Sequence, residues 1–214
     1  MKYSILSSGS KGNAVVIEGV ILVDCGVAYK ALRPYVGGLK IVLCTHCHSD
    51  HFNRSTISKL AHERPLLRFG CGEWLVRDLL DCGVSAHLID IYAMDTKNQY
   101  KSFCVEAFGL FHNVSNCGYK IEINDKRMLY ATDTREIATI APGYDLYMIE
   151  ANYDDEEIER RIQQKKADGV DYIYEYKARE NHLSLNKAND FIVKNSVEDS
   201  KFVLMHMHEG KDGD

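Results

Sequence analysis

Short apolar runs separated by polar or glycine-bearing turns dominate the chain from its first residues. Lys2–Leu6, Ala14–Glu18 and Val20–Val23 read as strands, and Leu39–Leu43 as a short buried one. Runs of the same kind recur at about Ala86–Asp90, Ser102–Phe111, Tyr119–Ile123, Arg127–Ala131, Leu146–Ile149 and Phe202–Met205. Helical patterns lie between them. Val27–Val36 looks helical until Pro34 and Gly37-Gly38 interrupt it. A second helix is capped by Asn53 or Ser55 and runs to about His62, and Glu73–Leu80 closes near Gly83. Two helices come late, about Asp154–Lys166 and Ser184–Asn195, with Ser184 as N-cap. Tyr172-Ile-Tyr-Glu-Tyr176 alternates as a strand would. Strands with helices interspersed in both halves suit an α/β protein with two sheets between helix layers.

The run Thr45-His46-Cys47-His48-Ser49-Asp50-His51 breaks this pattern. It follows the apolar Leu39–Leu43 segment, so its side chains sit on the loop leaving a strand, a usual place for chemistry. Imidazole is a common ligand for borderline metals, and a carboxylate adds charge and an oxygen donor. If the segment leaves the strand extended, His46 and His48 point the same way. Asp50 and His51 fall on the turn that follows and can address a second position. The run therefore reads as half of a two-metal site, against the competing reading of a surface histidine cluster.

Further histidines and acids close other apolar segments. His112 follows Val105–Phe111, Asp133 follows Met128–Ala131, His182 stands in Asn181-His182-Leu183-Ser184, and His206 closes Phe202–Met205. Singly each is an ordinary loop or core residue. Together with the His-rich run they form a constellation.

At these residues the chain resembles the metallo-β-lactamase-fold hydrolases. The family's recurrent signals are an early strand ending in Asp, a His-x-His-x-Asp-His run, and then a His, an Asp and a final His. Here they correspond to Asp24 (in Ile21-Leu-Val-Asp24-Cys25-Gly26), His46/His48/Asp50/His51, His112, Asp133 and His206. The opening Leu6-Ser-Ser-Gly-Ser-Lys-Gly-Asn13 and the segment Glu150-Ala-Asn-Tyr-Asp154 resemble small stand-alone bacterial and phage members. The resemblance is stronger to the phosphodiesterase branch, with its tRNA 3′-end processing nucleases and phage cyclic-nucleotide enzymes, than to drug-hydrolysing lactamases.

The resemblance implies an αββα four-layer sandwich, a single domain over residues 1–214, and two divalent metal ions, zinc first and manganese second. It implies that His46, His48 and His112 hold one metal, that Asp50, His51 and His206 hold the other, and that Asp133 bridges them. Asp50 also counts as catalytic. His182 corresponds to an extra histidine that protonates the leaving oxygen, and Asp24 to a residue that orients the His-rich loop through hydrogen bonds. Two departures stand out. The last motif reads His206-Met207-His208 where relatives have His-Leu-Ser, so His208 competes with His206. Asn113 stands where many relatives carry Asp. Two cations about 3.5–4 Å apart suit an in-line displacement at a charged phosphodiester.

Composition narrows the reading. At 214 residues and 45% hydrophobic, the chain can bury one sizeable core. It has no apolar run of the ~18 residues a membrane helix needs and no signal-peptide pattern, so a soluble, cytoplasmic protein of a bacterium or a phage-infected host is expected. The seven cysteines fit free thiols in a reducing compartment. Cys44-Thr-His-Cys47 has metal-site spacing, but no second cysteine pair follows it. The net charge of −5 disfavours capture of long nucleic acid and favours a small nucleotide substrate. Arg160-Arg161 with Lys165-Lys166 reads as a solvated helix face, since Asp154-Asp-Glu-Glu157 precedes it and the order complements the helix dipole. The tyrosines of Tyr172–Tyr176 face a partner or the core, or stack on bases at an active-site rim.

The expected function is hydrolysis of nucleotide phosphodiesters, small and even cyclic ones first. A single-stranded nuclease and a thioester or lactam hydrolase on the same fold are the alternatives. Relatives are often homodimers, and a homodimer is expected from the resemblance.

Overall fold

The computed structural model describes residues 1–207. His208, the competing final ligand, lies outside the described residues.

Two six-stranded sheets form the centre. The first runs, in spatial order, β1 (Tyr3–Ser7), β2 (Ala14–Ile17), β3 (Ile21–Val23), β4 (Ile41–Cys44), β5 (Arg68–Cys71) and β6 (Ile89–Ile91). It is antiparallel up to β3 and parallel beyond it. The second runs β12 (Lys201–Met205), β11 (Leu146–Glu150), β10 (Lys126–Ala131), β9 (Asn116–Ile123), β8 (Phe103–Leu110) and β7 (Thr96–Gln99). It is parallel from β12 to β10 and antiparallel from β10 to β7.

Period-two alternation sorts these strands' side chains into layers. In β4, Ile41 and Leu43 enter the core between the sheets, while Val42 and Cys44 enter an outer core. There they meet Leu32 of α1 (Tyr29–Leu32), Ile57 and Leu60 of α2 (Arg54–Glu63) and Leu79 of α3 (Val76–Asp81). In β11, Leu146 and Met148 face the first sheet. Tyr147 and Ile149 face outward onto Ala188 and Ile192 of α6 (Leu185–Asn195). Helix, sheet, sheet and helix thus stack in four layers, with central strands such as β4 and β11 buried on both faces. The remaining pair, α4 (Asp155–Ala167) and α5 (Tyr174–Asn181), packs through Ile158, Ile162 and Ala178. No helix among the described residues is long and apolar enough to cross a membrane.

Local expectations meet several corrections. Tyr172–Tyr176 is not a strand: α5 begins at Tyr174, where Glu175 bonds Lys165 of α4 and Ala178 packs on that helix. Val27–Val36 yields only the one-turn α1 before turns take over at Arg33. Ala86–Leu88 is a 3-10 turn leading into β6, and Glu73–Leu75 is a 3-10 turn leading into α3. β5 and β7 went unread, because charged, polar or glycine positions interrupt their short patterns. The caps at Asn53 and Ser184 hold: Asn53 accepts from Thr56 N–H at 3.0 Å and Ser184 from Lys187 N–H at 3.3 Å, while Asp154, read as the first helical residue, instead caps α4 by accepting from Glu156 and Glu157 N–H.

Two fully buried tyrosines tie the sheets together near one edge. Tyr119 on β9 donates to the Cys44 carbonyl at 2.5 Å, and Tyr130 on β10 donates to Asp24 Oδ2 at 3.2 Å. A buried hydroxyl needs such a partner, so these bonds also fix how the two strand ends face each other.

Candidate metal centre

Strand ends converge at that edge. Asp24 follows β3, His46 follows β4, Asp133 follows β10, Glu150 ends β11 and His206 follows β12. Asp24, Asp133 and His206 have φ of 58°, 57° and 49°. This left-handed region is tolerated by Asp and His better than by most residues. At each exit it turns the chain sharply as it leaves its strand.

Asp24 organises the His-rich loop. Its Oδ1 accepts from Thr45 N–H at 3.0 Å and from the Thr45 hydroxyl at 2.8 Å, and its Oδ2 accepts from His51 Nδ1 at 2.7 Å. Because the Thr45 hydroxyl spends its proton on Asp24, His46 Nδ1, 3.0 Å away, must be the donor to Thr45 Oγ1. His112 Nδ1 donates to the Asn181 carbonyl at 3.1 Å. In the neutral form of each ring Nε2 then carries the lone pair, which is the ligand tautomer. Burial disfavours charge on His51, yet without a cation Asp133 and Asp24 raise its pKa well above the usual value.

Those lone pairs face one another. His46 Nε2 lies 3.1 Å, and His112 Nε2 3.3 Å, from His48 Nδ1. His51 Nε2 lies 2.8 Å from Asp133 Oδ2, yet that oxygen and His206 Nε2 are buried without a hydrogen-bond partner. Asp133 Oδ1 lies 3.9 Å from His112 Nε2 and 3.8 Å from His206 Nε2. His206 Nε2 and Asp50 Oδ2 are 3.6 Å apart, too far for a hydrogen bond. Such an arrangement repels itself unless cations sit among the donors.

Four overlapping donor groups result among the described residues, two of them being His46/His51/Asp133 and Asp133/Glu150/His182/His206. The remaining two are His46, His48 and His112, and Asp50, His51 and His206. Asp133 stands near both through its two oxygens. The orphaned buried atoms and the N/O donor set fit divalent metal ions of the zinc or manganese kind. Cys44 and Cys47 do not form a thiolate pair, since Cys44 is buried in the outer core and Cys47 is exposed.

The electrostatics follow. Burial, then the neighbouring imidazoles of His51, His112 and His48, hold His46 well below the usual histidine range, neutral as a ligand must be. Burial likewise lowers His112, against the pull of Asp133. Burial opposes ionisation of Asp133, but His51, His206 and His46 hold its carboxyl well below the ordinary value. Burial also disfavours charge on His206, yet Asp50, Glu150 and Asp133 push its pKa up to about 10. The carboxylates demand positive charge at this point, and a metal ion supplies it where a proton otherwise does.

Several residues here were not legible as site residues. Glu150, fully buried, accepts from His182 Nδ1 at 2.6 Å, from Thr134 N–H at 2.9 Å and from Leu183 N–H at 3.1 Å, and lies 3.2 Å from His206 Nδ1. In the sequence it closes an apolar strand and heads the family-like segment Glu150-Ala-Asn-Tyr-Asp154, neither of which marks it as a partner of His182. Asn13 Nδ2 lies 2.8 Å from His51 Nε2, and its Oδ1 accepts from Gly9 N–H at 2.8 Å, joining the serine-rich loop to the centre. Asn116 donates to the Asp133 carbonyl at 2.7 Å and steadies that kink. Gly26 allows close approach: a Cβ there would stand 1.7 Å from the Asp50 carbonyl oxygen.

The chain is similar to known proteins in sequence and in fold. The exodeoxyribonuclease WalJ of Streptococcus pneumoniae is 29% identical over 175 residues, which cover 72% of this chain and 63% of that protein. The chain thus spans less than two thirds of that relative's length. The metallo-β-lactamase fold protein YhfI of Bacillus subtilis superposes with a TM-score of 0.72 at 16% identity, covering 97% of this chain and 86% of that one. The short form of human tRNase Z gives 0.70 at 16% identity, covering 98% and 93%. The family model described as a beta-lactamase superfamily domain matches residues 20–207. With its four-layer sandwich and its His/Asp cluster at the strand ends, the chain belongs to the β-lactamase superfamily and has the metallo-β-lactamase fold.

Proposed function

We propose that this chain is a two-metal phosphodiesterase that hydrolyses phosphodiester bonds of nucleotides. His46, His48 and His112 would hold one divalent ion and Asp50, His51 and His206 the other, with Asp133 placed to serve both. The observation that carries the reading is Asp133, a buried carboxylate whose two oxygens lie within 3.9 Å of His112, His206 and His51. Bound there, the ions would neutralise the diester's charge and lower the pKa of a water near neutrality.

The chain's own residues supply the rest. Asp24 keeps His51 in its ligand tautomer and holds the loop through Thr45. Glu150 accepts from His182 Nδ1, which leaves Nε2 to deliver a proton to the departing oxygen. A thiolate leaving group needs no such proton, so this pair favours an alkoxide, and hence a phosphodiester, over a thioester. The net charge of −5 supports a small nucleotide, cyclic ones included; the exodeoxyribonuclease relative supports a strand end.

The test is hydrolysis by purified protein reconstituted with zinc or manganese. The substrates are bis(p-nitrophenyl) phosphate, a cyclic-nucleotide panel and a short single-stranded oligonucleotide, each also given to His48→Ala. Cleavage of any of them, lost in the variant, supports the assignment. Silence on every phosphodiester, with turnover of a thioester or lactam, overturns it.

A further inference from the structure

The net charge of −5 is unevenly placed. A cleft of about 1040 Å³ opens onto the histidine cluster and has the opposite sign. Arg160, Arg161 and Lys165 of α4 line it together with Lys11 of the serine-rich loop, His182 and His206, and Glu175 is the carboxylate among the lining residues. Arg161 bonds Glu157, and Lys165 bonds both oxygens of Glu175 at 2.7 and 2.8 Å. Arg160 is exposed, and its side chain makes no hydrogen bond or ion pair with the described residues. The basic strip of α4 is thus not simply a solvated face: it turns a row of cations toward the candidate metal centre.

An aromatic ring stands in the same cleft. Tyr174, at the start of α5, is 47% exposed and lines it. Burial, then Tyr172, then the Asp133 and Asp50 carboxylates raise its pKa. A smaller pocket of about 140 Å³ shares Tyr174, Arg161 and Met207 with the cleft. Ile158, Ala178 and Leu185 give it apolar walls, and Asp154 and Glu157 give it acceptors. That combination suits the flat apolar faces and amino edges of a nucleobase.

We propose that this cleft is a binding track for a linear single-stranded oligonucleotide, with Arg160 taking a backbone phosphate beyond the scissile bond and Tyr174 stacking on a base. The track rests on the phosphodiesterase reading above. A cyclic mononucleotide offers one phosphate and one base, and leaves the α4 cations unmatched. The cleft also lies at the top of the ~300–1,000 Å³ range that encloses drug-sized ligands. Stacking platforms beside a cationic groove are how single strands are held without sequence preference.

The experiment measures fluorescence anisotropy of a labelled oligothymidylate of about ten nucleotides, a length within the ~4–16 that such grooves cover. It is bound to the full chain in EDTA over a salt series, for the wild type, Arg160→Ala and Tyr174→Leu. Arg160→Ala lowers the slope of log affinity against log salt by about 0.7, one phosphate contact's worth. Tyr174→Leu weakens binding about tenfold and leaves the slope alone. With metal restored, the kcat/KM ratio of oligonucleotide to bis(p-nitrophenyl) phosphate falls about tenfold in both variants, through KM, as loss of a binding contact requires. An unchanged slope in Arg160→Ala overturns the track. So does displacement of the label by a cyclic mononucleotide as effectively as by unlabelled oligonucleotide. If the slope effect stands while the wild type hydrolyses no phosphodiester, the track holds and the reaction assigned above fails.

Discussion

Glu150 accepts a 2.6 Å hydrogen bond from His182 Nδ1 in a position where the carboxylate is wholly buried. Burial alone would lower the imidazole's pKa, but Glu150, with Asp133 behind it, raises it above the usual 6.5. The pair therefore favours the protonated form of His182. A general acid must carry its proton, so activity falls as pH rises through the His182 pKa. In Glu150→Gln that pKa drops, and the alkaline limb of the kcat profile moves to lower pH. A pH–rate profile on a nucleotide substrate checks it; an unmoved limb would remove His182 from the role of acid.

The leaving group separates two roles for the same histidine. His182→Ala should lower kcat about 10²-fold or more on a nucleotide diester, whose alkoxide must be protonated. On bis(p-nitrophenyl) phosphate the loss should be several-fold at most, because p-nitrophenolate leaves without a proton. Equal losses on both would mean that His182 serves the metal centre instead.

Asp24 touches no candidate metal position directly, yet it fixes His51 and Thr45. Asp24→Asn keeps the side chain's size and tolerates the φ of 58°. It should weaken metal binding about 10–100-fold, as loss of such an outer partner typically does. Zinc competition against a chromophoric chelator measures this, and unchanged affinity would show that Asp24 serves packing alone.

Metal should also stabilise the fold. Free ion at ~100 times its Kd adds about 2.7 kcal/mol if it binds only the native state. Thermal unfolding with zinc or manganese should therefore shift upward and return with EDTA. His48→Ala, by removing one donor, should shrink the shift.

Gly26 tests the loop's placement. With a Cβ 1.7 Å from the Asp50 carbonyl, Gly26→Ala must push the backbone carrying Asp50 and His51 away from β3. Lower metal affinity and a lower melting temperature should appear together. A variant with native metal affinity would mean that the loop relaxes freely.

Most of the scaffold and the candidate site were legible in the sequence by itself. Apolar runs too short for anything but strands, together with Asn53 and Ser184 as caps, are local signals, and local steric and hydrogen-bonding rules act on them directly. The His46–His51 run carried its meaning in its density and spacing. Resemblance extended that reading to Asp24, His112, Asp133, His182 and His206, which the structure gathers at one edge of the sandwich although they are far apart in the chain.

What the tertiary structure decided is what depends on distant groups meeting. Glu150 is one more acid at a strand end until folding brings His182 and His206 onto it. Tyr172–Tyr176 alternates as a strand does, but the Lys165–Glu175 ion pair and the packing of Ala178 on α4 set it as a helix from Tyr174. Arg160 and Arg161 look like any charged helix face, and the net charge pointed away from nucleic acid. Charge acts by position and not by total, and only the fold turned those cations toward the metal centre.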